Sequence, residues 1–352
     1  MSTDRIPIQN IYFLLCYAWD NLQEISFAKV RSEGCEKLWD LLARVLIRSS
    51  QQLVKRGLHR SYVTQSERLV RPKGKVLFTE DIRRPPRGEL VKACEFDELD
   101  PNVLPNQIIH STLCLLQRHP ELNARNQREL REVVGYWRGF SRPRLTSSSF
   151  RRVSIHRNMR HYRFALNVCE LVHEQCLATQ SEGRYQFRDF LRDEARMGTL
   201  FEQFVRNFFA KEQSVFTVSR PEVKWNIDRE RSTERGQTLL PSMNTDVVLE
   251  SESDRLIIDC KFYRDAFQWY YGTPKFISEH LYQLFSYLKN QSRLPGWAGV
   301  RGMLIYPVVD APFDEIVTID GHEIRVVSID LGQDWQRVSE DLLGLLDLNL
   351  CR

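Results

Sequence analysis

Apolar residues first recur at helical spacing in PIQNIYFLLCYAWDNLQE, where Ile11, Leu14, Leu15, Ala18 and Leu22 follow Asn10, a residue suited to cap them. Residues 36 to 56 repeat the spacing with Leu38, Leu42, Val45, Leu46 and Leu53, and Gly57 supplies a stop. Between about 60 and 100 the period shortens: YVTQSERLV, KVLF and ELVKACEF read as strands of a small β unit joined by the basic turns RPKGK and DIRRPPRGE. Helical spacing returns over about 103 to 118 and 122 to 137. The cluster SRPRLTSSSFRR then predicts a linker or exposed loop, which sets the expected boundary between a 1–155 domain and a 156–352 domain.

The second half predicts helices over 158–177, 194–211, 275–290 and 335–346, and strands near 215–226, 243–250, 255–263, 299–309 and 322–330. The fold class is therefore mixed α/β, a helical unit with a small β element followed by an α/β sandwich of helices around a short mixed sheet.

One stretch breaks the apolar pattern. In TDVVLESESDRLIIDCKFY, strand alternation sets Leu256, Ile258, Cys260 and Phe262 on one face and Ile257, Asp259, Lys261 and Tyr263 on the other. One face reads as core, and the other adds an acid and a base to apolar neighbours. Asp246 opens the preceding strand, so a hairpin over the polar turn would bring it near Asp259. Two neighbouring carboxylates repel unless a cation lies between them, and an all-oxygen site suits Mg²⁺ or Mn²⁺. A lysine beside such a pair can orient a water and offset charge building on a phosphate, which points to phosphodiester hydrolysis.

The motif is short: about 1.4 acid-x-Lys matches are expected by chance at this composition, and Glu222 with Lys224, in RPEVK, is a second. Asp259 is preferred because Asp246 precedes it across a turn. Two helices add candidates. In RMGTLFEQFVRNFFA the apolar stripe runs through Met197, Leu200, Phe201, Phe204, Val205 and Phe208, with Glu202 just off it as a third ligand. In ISEHLYQLFSYLKN a second stripe of His280, Gln283 and Tyr287 is open either to touch substrate or to form plain helix surface.

Composition narrows the classes. No run approaches a membrane span, MSTDRIPIQN lacks the apolar centre of a secretion signal, and eight scattered cysteines form no CxxC pair. The expectation is a cytoplasmic chain with reduced thiols and no membrane partner. Net charge is only +4, but 39 arginines stand against 11 lysines, and residues 121 to 163 hold eleven Arg and three Glu. Such a surface is either solvated or turned toward phosphate or an acidic partner. No G-x-x-x-x-G-K-[ST] loop is present, so any GTP would be bound by another chain.

IPIQNIYFLLCYAW, GKVLF with NQIIHSTL, NTDVVL to DCKFY, EHLYQLFSYL, GMLIYP and LGQDW occur in an order that resembles the McrC nuclease subunits of the McrBC modification-dependent restriction systems, over nearly the whole chain. The resemblance implies a PD-(D/E)xK, restriction-endonuclease-like domain with Asp246, Asp259 and Lys261 as its catalytic set. It also implies Glu202 as the helical acid, and Gln283 with Tyr287 as the accessory QxxxY pair of the RecB-like branch. Asp246, Asp259 and Glu202 would bind Mg²⁺. Thr245 replaces the leading proline, and Cys260 stands where a small residue is expected. The first domain would dock onto a McrB-like AAA+ GTPase ring that binds the GTP, and the substrate would be double-stranded methylated DNA. A free-standing RecB-like exonuclease and a non-catalytic adaptor that activates the ring are the alternative readings.

Overall fold

The computed structural model describes residues 6–20, 38–83, 91–178, 185–187, 193–263, 267–308 and 312–346. Leu22, most of the RRPPR turn, and Cys35 and Cys351 lie outside them. The chain divides into two units, Lys37–Phe187 and Met1–Glu36 with Arg188–Arg352. The boundary expected at residue 155 therefore falls inside the first of these, and the opening helix α1 (Ile8–Ala18) belongs to the second.

Packing explains both differences. In the Lys37–Phe187 unit, α2 (Leu38–Arg56) is followed by β1 (Ser61–Leu69), β2 (Lys75–Val76) and β3 (Lys92–Asp100), which form an antiparallel sheet in the order β1-β3-β2. Helices α3 (Leu104–Gln117), α4 (Ala124–Tyr136) and α5 (Arg163–Gln175) complete it. Tyr162, fully buried just before α5, donates to Asn106 Oδ1 at 2.8 Å and accepts from the His59 amide at 2.8 Å. The Ser, Pro and Arg cluster thus lies within this unit, as an exposed stretch that runs into a short helix, Ser147–Arg151, with Thr146 and Ser149 forming a capping box. KVLF does not stay a strand: only Lys75 and Val76 pair, and a short helix starts at Phe78. In the RPKGK turn Gly74 has φ +71°, and a Cβ there would lie 2.4 Å from the Glu95 carbonyl oxygen, so no other residue fits.

α1 is apolar nearly all round, and its partner is α6 (Glu194–Glu212), whose Asp193 cap accepts from the Arg196 amide at 3.2 Å. Phe13, Tyr17, Phe204, Phe208 and Trp335 form one aromatic cluster, with the Phe13 and Trp335 rings stacked at 4.4 Å. Each such ring taken from water contributes about 1.5–3 kcal/mol. Asn10 Nδ2 donates to the Leu331 and Gln333 carbonyls at 2.8 and 2.7 Å, and Asn207 Nδ2 donates to the last carbonyls of α1. Asn10 was expected to cap α1; Pro7 occupies that position, and the asparagine instead ties the helix to the end of the sheet.

That sheet holds β4 (Thr217–Ser219), β5 (Val247–Glu250), β6 (Arg255–Cys260), β7 (Arg301–Val308), β8 (Asp314–Ile319) and β9 (His322–Asp330), ordered β8-β9-β7-β6-β5-β4. β6 pairs antiparallel with β5 and parallel with β7, the crossover passing through helix α7 (Ser278–Gln291). α7 lies so close to β7 that a Cβ on Gly302 would meet Leu288 at 2.8 Å. The final helix is α8 (Trp335–Gly344). The expected 215–226 strand breaks into β4 and a ribbon of Glu222–Val223 with Met243–Asn244. β8 and an aromatic hairpin, Phe267–Tyr270 with Thr273–Phe276, were not expected.

Among the described residues no helix is long and apolar enough to cross a membrane, and Cys16, Cys94, Cys114, Cys169 and Cys260 are buried free thiols.

Candidate active site

β6 is central, and its run RLIIDC is covered on both faces, as parallel-sheet strands are. Ile257 joins Val248, Leu284, Tyr287 and Leu288 in the core under α7, while Phe262 meets Phe201 of α6 on the other side. The reading of one core face and one chemical face is thus replaced by two buried faces, with the charges at the strand end.

There the β5–β6 ladder, whose last pair is Ile258 with Val247, stops. Asp246 Oδ2 accepts from the Cys260 amide at 2.8 Å, taking over a place that a strand carbonyl would fill. By the register, Asp246 and Asp259 face the same side. The Lys261 amide still bonds the Ile305 carbonyl at 2.9 Å, so the backbone beyond Asp259 stays fixed to β7. Lys261 Nζ lies 2.7 Å from Asp259 Oδ2. Asp259 is 1% exposed, its Oδ1 has no partner among the described residues, and its other oxygen has the ammonium as an ion-pair neighbour outside hydrogen-bonding geometry.

Lys261 Nζ donates to Gln283 Oε1 at 2.8 Å, Gln283 Nε2 donates to Tyr287 Oη at 2.8 Å, and Tyr287 donates to the Asn244 carbonyl at 3.1 Å. Each member of this relay has its direction set by the next, and α7 thereby fixes the amide orientation that receives the lysine. The relay returns to the residue two before Asp246.

Electrostatics follow from burial. Desolvation raises Asp259 above the usual aspartate range, with the Asp246 charge adding to it and Lys261 opposing. Desolvation also raises Asp246, against the Cys260 amide and three nearby cations. Glu202, half-buried on α6, is raised to about 7, by desolvation first and then by the Asp246 charge. Burial alone would lower Lys261, but the Asp259 and Asp246 carboxylates together lift it, so it remains an ammonium. Burial holds Cys260 as a neutral thiol.

Of the residues expected at the site, Asp246, Asp259, Lys261, Gln283 and Tyr287 come together in one bonded arrangement. Glu202 feels their charge without joining it, and among the described residues no three His, Cys, Asp or Glu side chains close a metal-binding group. The buried, unbonded Asp259 oxygen beside Asp246 nevertheless fits a hard cation, because Mg²⁺ is commonly held by one or two carboxylates and completed by water and phosphate oxygens. The competing RPEVK motif forms an exposed ion pair, Glu222 with Lys224, on the two-stranded ribbon.

Other groups were left undecided or not found by sequence reasoning. His280, left open between substrate contact and plain helix surface, is 4% exposed, with Nδ1 2.7 Å from Tyr306 Oη and its ring 4.7 Å from that of Tyr263. Burial and the Lys261 charge lower it to about 4, so the ring is neutral. Tyr306 lies within the apolar strand β7 and gave no signal except GMLIYP. Arg206 donates to the Asp246 carbonyl at 3.4 Å and Arg220 to the Thr245 carbonyl at 3.0 Å, both hidden in a sequence rich in arginine.

Comparison with known proteins bears on this arrangement. The family model described as "McrBC 5-methylcytosine restriction system component" matches residues 9–307. The chain is 34% identical over 347 residues to the type IV methyl-directed restriction enzyme EcoKMcrBC of Escherichia coli (strain K12), covering 99% of each. In structure it is similar to a chain of the half-complex from the tetradecameric assembly of Thermococcus gammatolerans McrB AAA+ hexamers with bound McrC. The TM-score is 0.56 at 17% identity, covering 97% of this chain and 76% of that one. This last likeness bears on fold alone.

Proposed function

The chain belongs to the family of McrBC 5-methylcytosine restriction system components, and from that premise we propose that it is the nuclease subunit of a GTP-dependent restriction complex, cutting double-stranded methylated DNA. The observation that carries this reading is Asp259, a carboxylate almost wholly out of water with an unbonded oxygen, set between Asp246 and Lys261. Leaving such a group unsatisfied costs about 1–3 kcal/mol, a cost consistent with a ligand supplied from outside.

Asp246 and Asp259 would hold Mg²⁺ directly, with Mn²⁺ as a substitute, and Glu202 would reach it through water. The bound cation supplies Lewis acidity toward a phosphate oxygen and lowers the pKa of water near it. The chain's own residues do the rest. The Cys260 amide fixes one oxygen of Asp246, so that the other would be the one to meet the cation. Lys261, held by Asp259 and Gln283, keeps a remaining N–H to orient the attacking water and to meet negative charge forming on the phosphate. Tyr287 and Gln283 act through the lysine and are positioning residues. The Lys37–Phe187 unit, which contains the whole arginine-rich 121–163 segment, would dock on a McrB-type AAA+ GTPase ring and stimulate it, and that partner would bind the GTP.

The test uses the chain with its partner, GTP, Mg²⁺ and methylated DNA. Asp259→Asn and Lys261→Ala are expected to lose cutting while GTPase stimulation persists. Cutting that survives both substitutions sinks the site, and cutting without partner or GTP favours a free-standing nuclease. A wild-type mixture that stimulates GTP hydrolysis and never cuts favours the adaptor.

A further inference from the structure

Two cations near the carboxylates have no role in the relay just described. Arg206 comes from the middle of α6, and Arg220 from the turn after β4, so two separate elements deliver them to one place. They bond the carbonyls of consecutive residues, Arg206 to Asp246 and Arg220 to Thr245. Each uses one N–H of its fork there, and neither guanidinium has a carboxylate ion-pair partner among the described residues. Lys261, by contrast, sits against Asp259. A half-buried guanidinium that no carboxylate meets at ion-pair distance is incompletely compensated, and the flat fork suits a phosphate better than a carbonyl. Arg206 feels the charge of Arg220 together with those of Asp246 and Glu202, so the two guanidiniums share one neighbourhood beside the acids.

Formal charge points the same way. Glu202, Asp246 and Asp259 are balanced by Lys261, Arg206 and Arg220, so any divalent cation leaves the site positive by two, matching a phosphodiester as it gains a second negative charge on attack.

We propose that Arg206 and Arg220 form a clamp for a DNA backbone phosphate on the Asp246 side of the site, adjoining the phosphate that is cut. The clamp rests on the nuclease reading and adds substrate-binding residues to it. It positions the strand and reads no base, so it is indifferent to sequence and sensitive to salt.

Binding of a methylated duplex by the chain with its partner and GTP, with Ca²⁺ replacing Mg²⁺ to slow cutting, is measured by fluorescence anisotropy over a range of salt. Arg206→Gln and Arg220→Gln are each expected to weaken binding by roughly tenfold and to make the slope of log affinity against log salt shallower by about 1, while the melting temperature and GTPase stimulation hold. Arg220→Lys should restore the slope and only part of the affinity. If Arg206→Gln fails to fold, exposed Arg220 alone decides the matter. Folded variants with wild-type affinity and slope overturn the clamp. Asp259→Asn in Mg²⁺ separates the two ideas: a dead Asp259→Asn beside arginine variants that bind normally removes only the clamp, whereas an active Asp259→Asn removes the nuclease site itself.

Discussion

Two aspartates are buried at opposite extremes of satisfaction. Asp40, on α2 of the Lys37–Phe187 unit, is 4% exposed, and its Oδ1 accepts from the Asn123 amide at 3.0 Å and from Asn126 Nδ2 at 2.8 Å. Asp259 is more deeply buried; among the described residues its Oδ1 has no partner, and its Oδ2 has the Lys261 ammonium at 2.7 Å. Burial is nearly equal, so burial is not what separates a structural acid from a chemical one. The donors are. Asp40 ties α4 to α2 and is satisfied by its own fold, whereas Asp259 lies just past the end of the β5 ladder, paired with β7, with a lysine at one oxygen and the other left over.

The largest effect that tests this contrast is on cutting. Asp259→Ala should lower the single-turnover rate by ~10³-fold or more, equivalent to about 4 kcal/mol of lost charge stabilisation, whereas Asp40→Asn should leave the rate of the folded complex near wild type. Stability should invert the order. Asp40→Ala strands two buried donors and should cost about 2–4 kcal/mol in denaturant unfolding. Asp259→Asn should move the metal-free melting temperature far less, because relief of a buried carboxylate is offset by loss of the Lys261 ion pair.

Gln283→Ala comes next, with a roughly 10–100-fold loss of cutting, as for partners that orient a reacting group, and little change in DNA affinity. Tyr287→Phe, which keeps the ring in the core, should show a milder form of the same loss. The smallest effect is on pH. Asp259 and Asp246 are raised and Glu202 is raised to about 7, so between about pH 4 and 7 these three carboxyls hold more protons in the folded chain than in the unfolded one, whereas His280, lowered to about 4, holds fewer. The carboxyls' own contribution to metal-free stability should therefore be greatest below that window and fall as pH rises through it, and the difference between wild type and a Glu202→Gln, Asp259→Asn variant isolates it from the histidines. Mg²⁺ should add more to the melting temperature at pH 8 than at pH 5, and equal shifts at both would count against a cation on these carboxylates.

The hairpin of Asp246 with Asp259 was legible because its turn is polar, its strands are short and apolar, and register follows from a period of two. The QxxxY spacing was legible because one helix face carries both residues. The double burial of β6 was not, since an apolar run reads the same under one helix or two. The unit boundary was missed because loop composition in SRPRLTSSSFRR marks exposure, and exposure occurs within a unit as well as between units. Arg206, Arg220 and Tyr306 depend on contacts across long sequence separation, which no local pattern encodes, and Glu202 was found as a helical acid without its remove from a complete ligand set.

α1 leaves the ribosome early, yet the carbonyls that Asn10 binds are 321 and 323 positions further along. At roughly 5–20 residues per second, on the order of half a minute passes before Leu331 is made. Throughout translation of the intervening unit, an apolar segment bearing Phe13, Leu14 and Tyr17 has no mate. Nascent chains stalled after Phe187 should recruit hydrophobe-binding chaperones through this segment, and their release should coincide with emergence of Trp335.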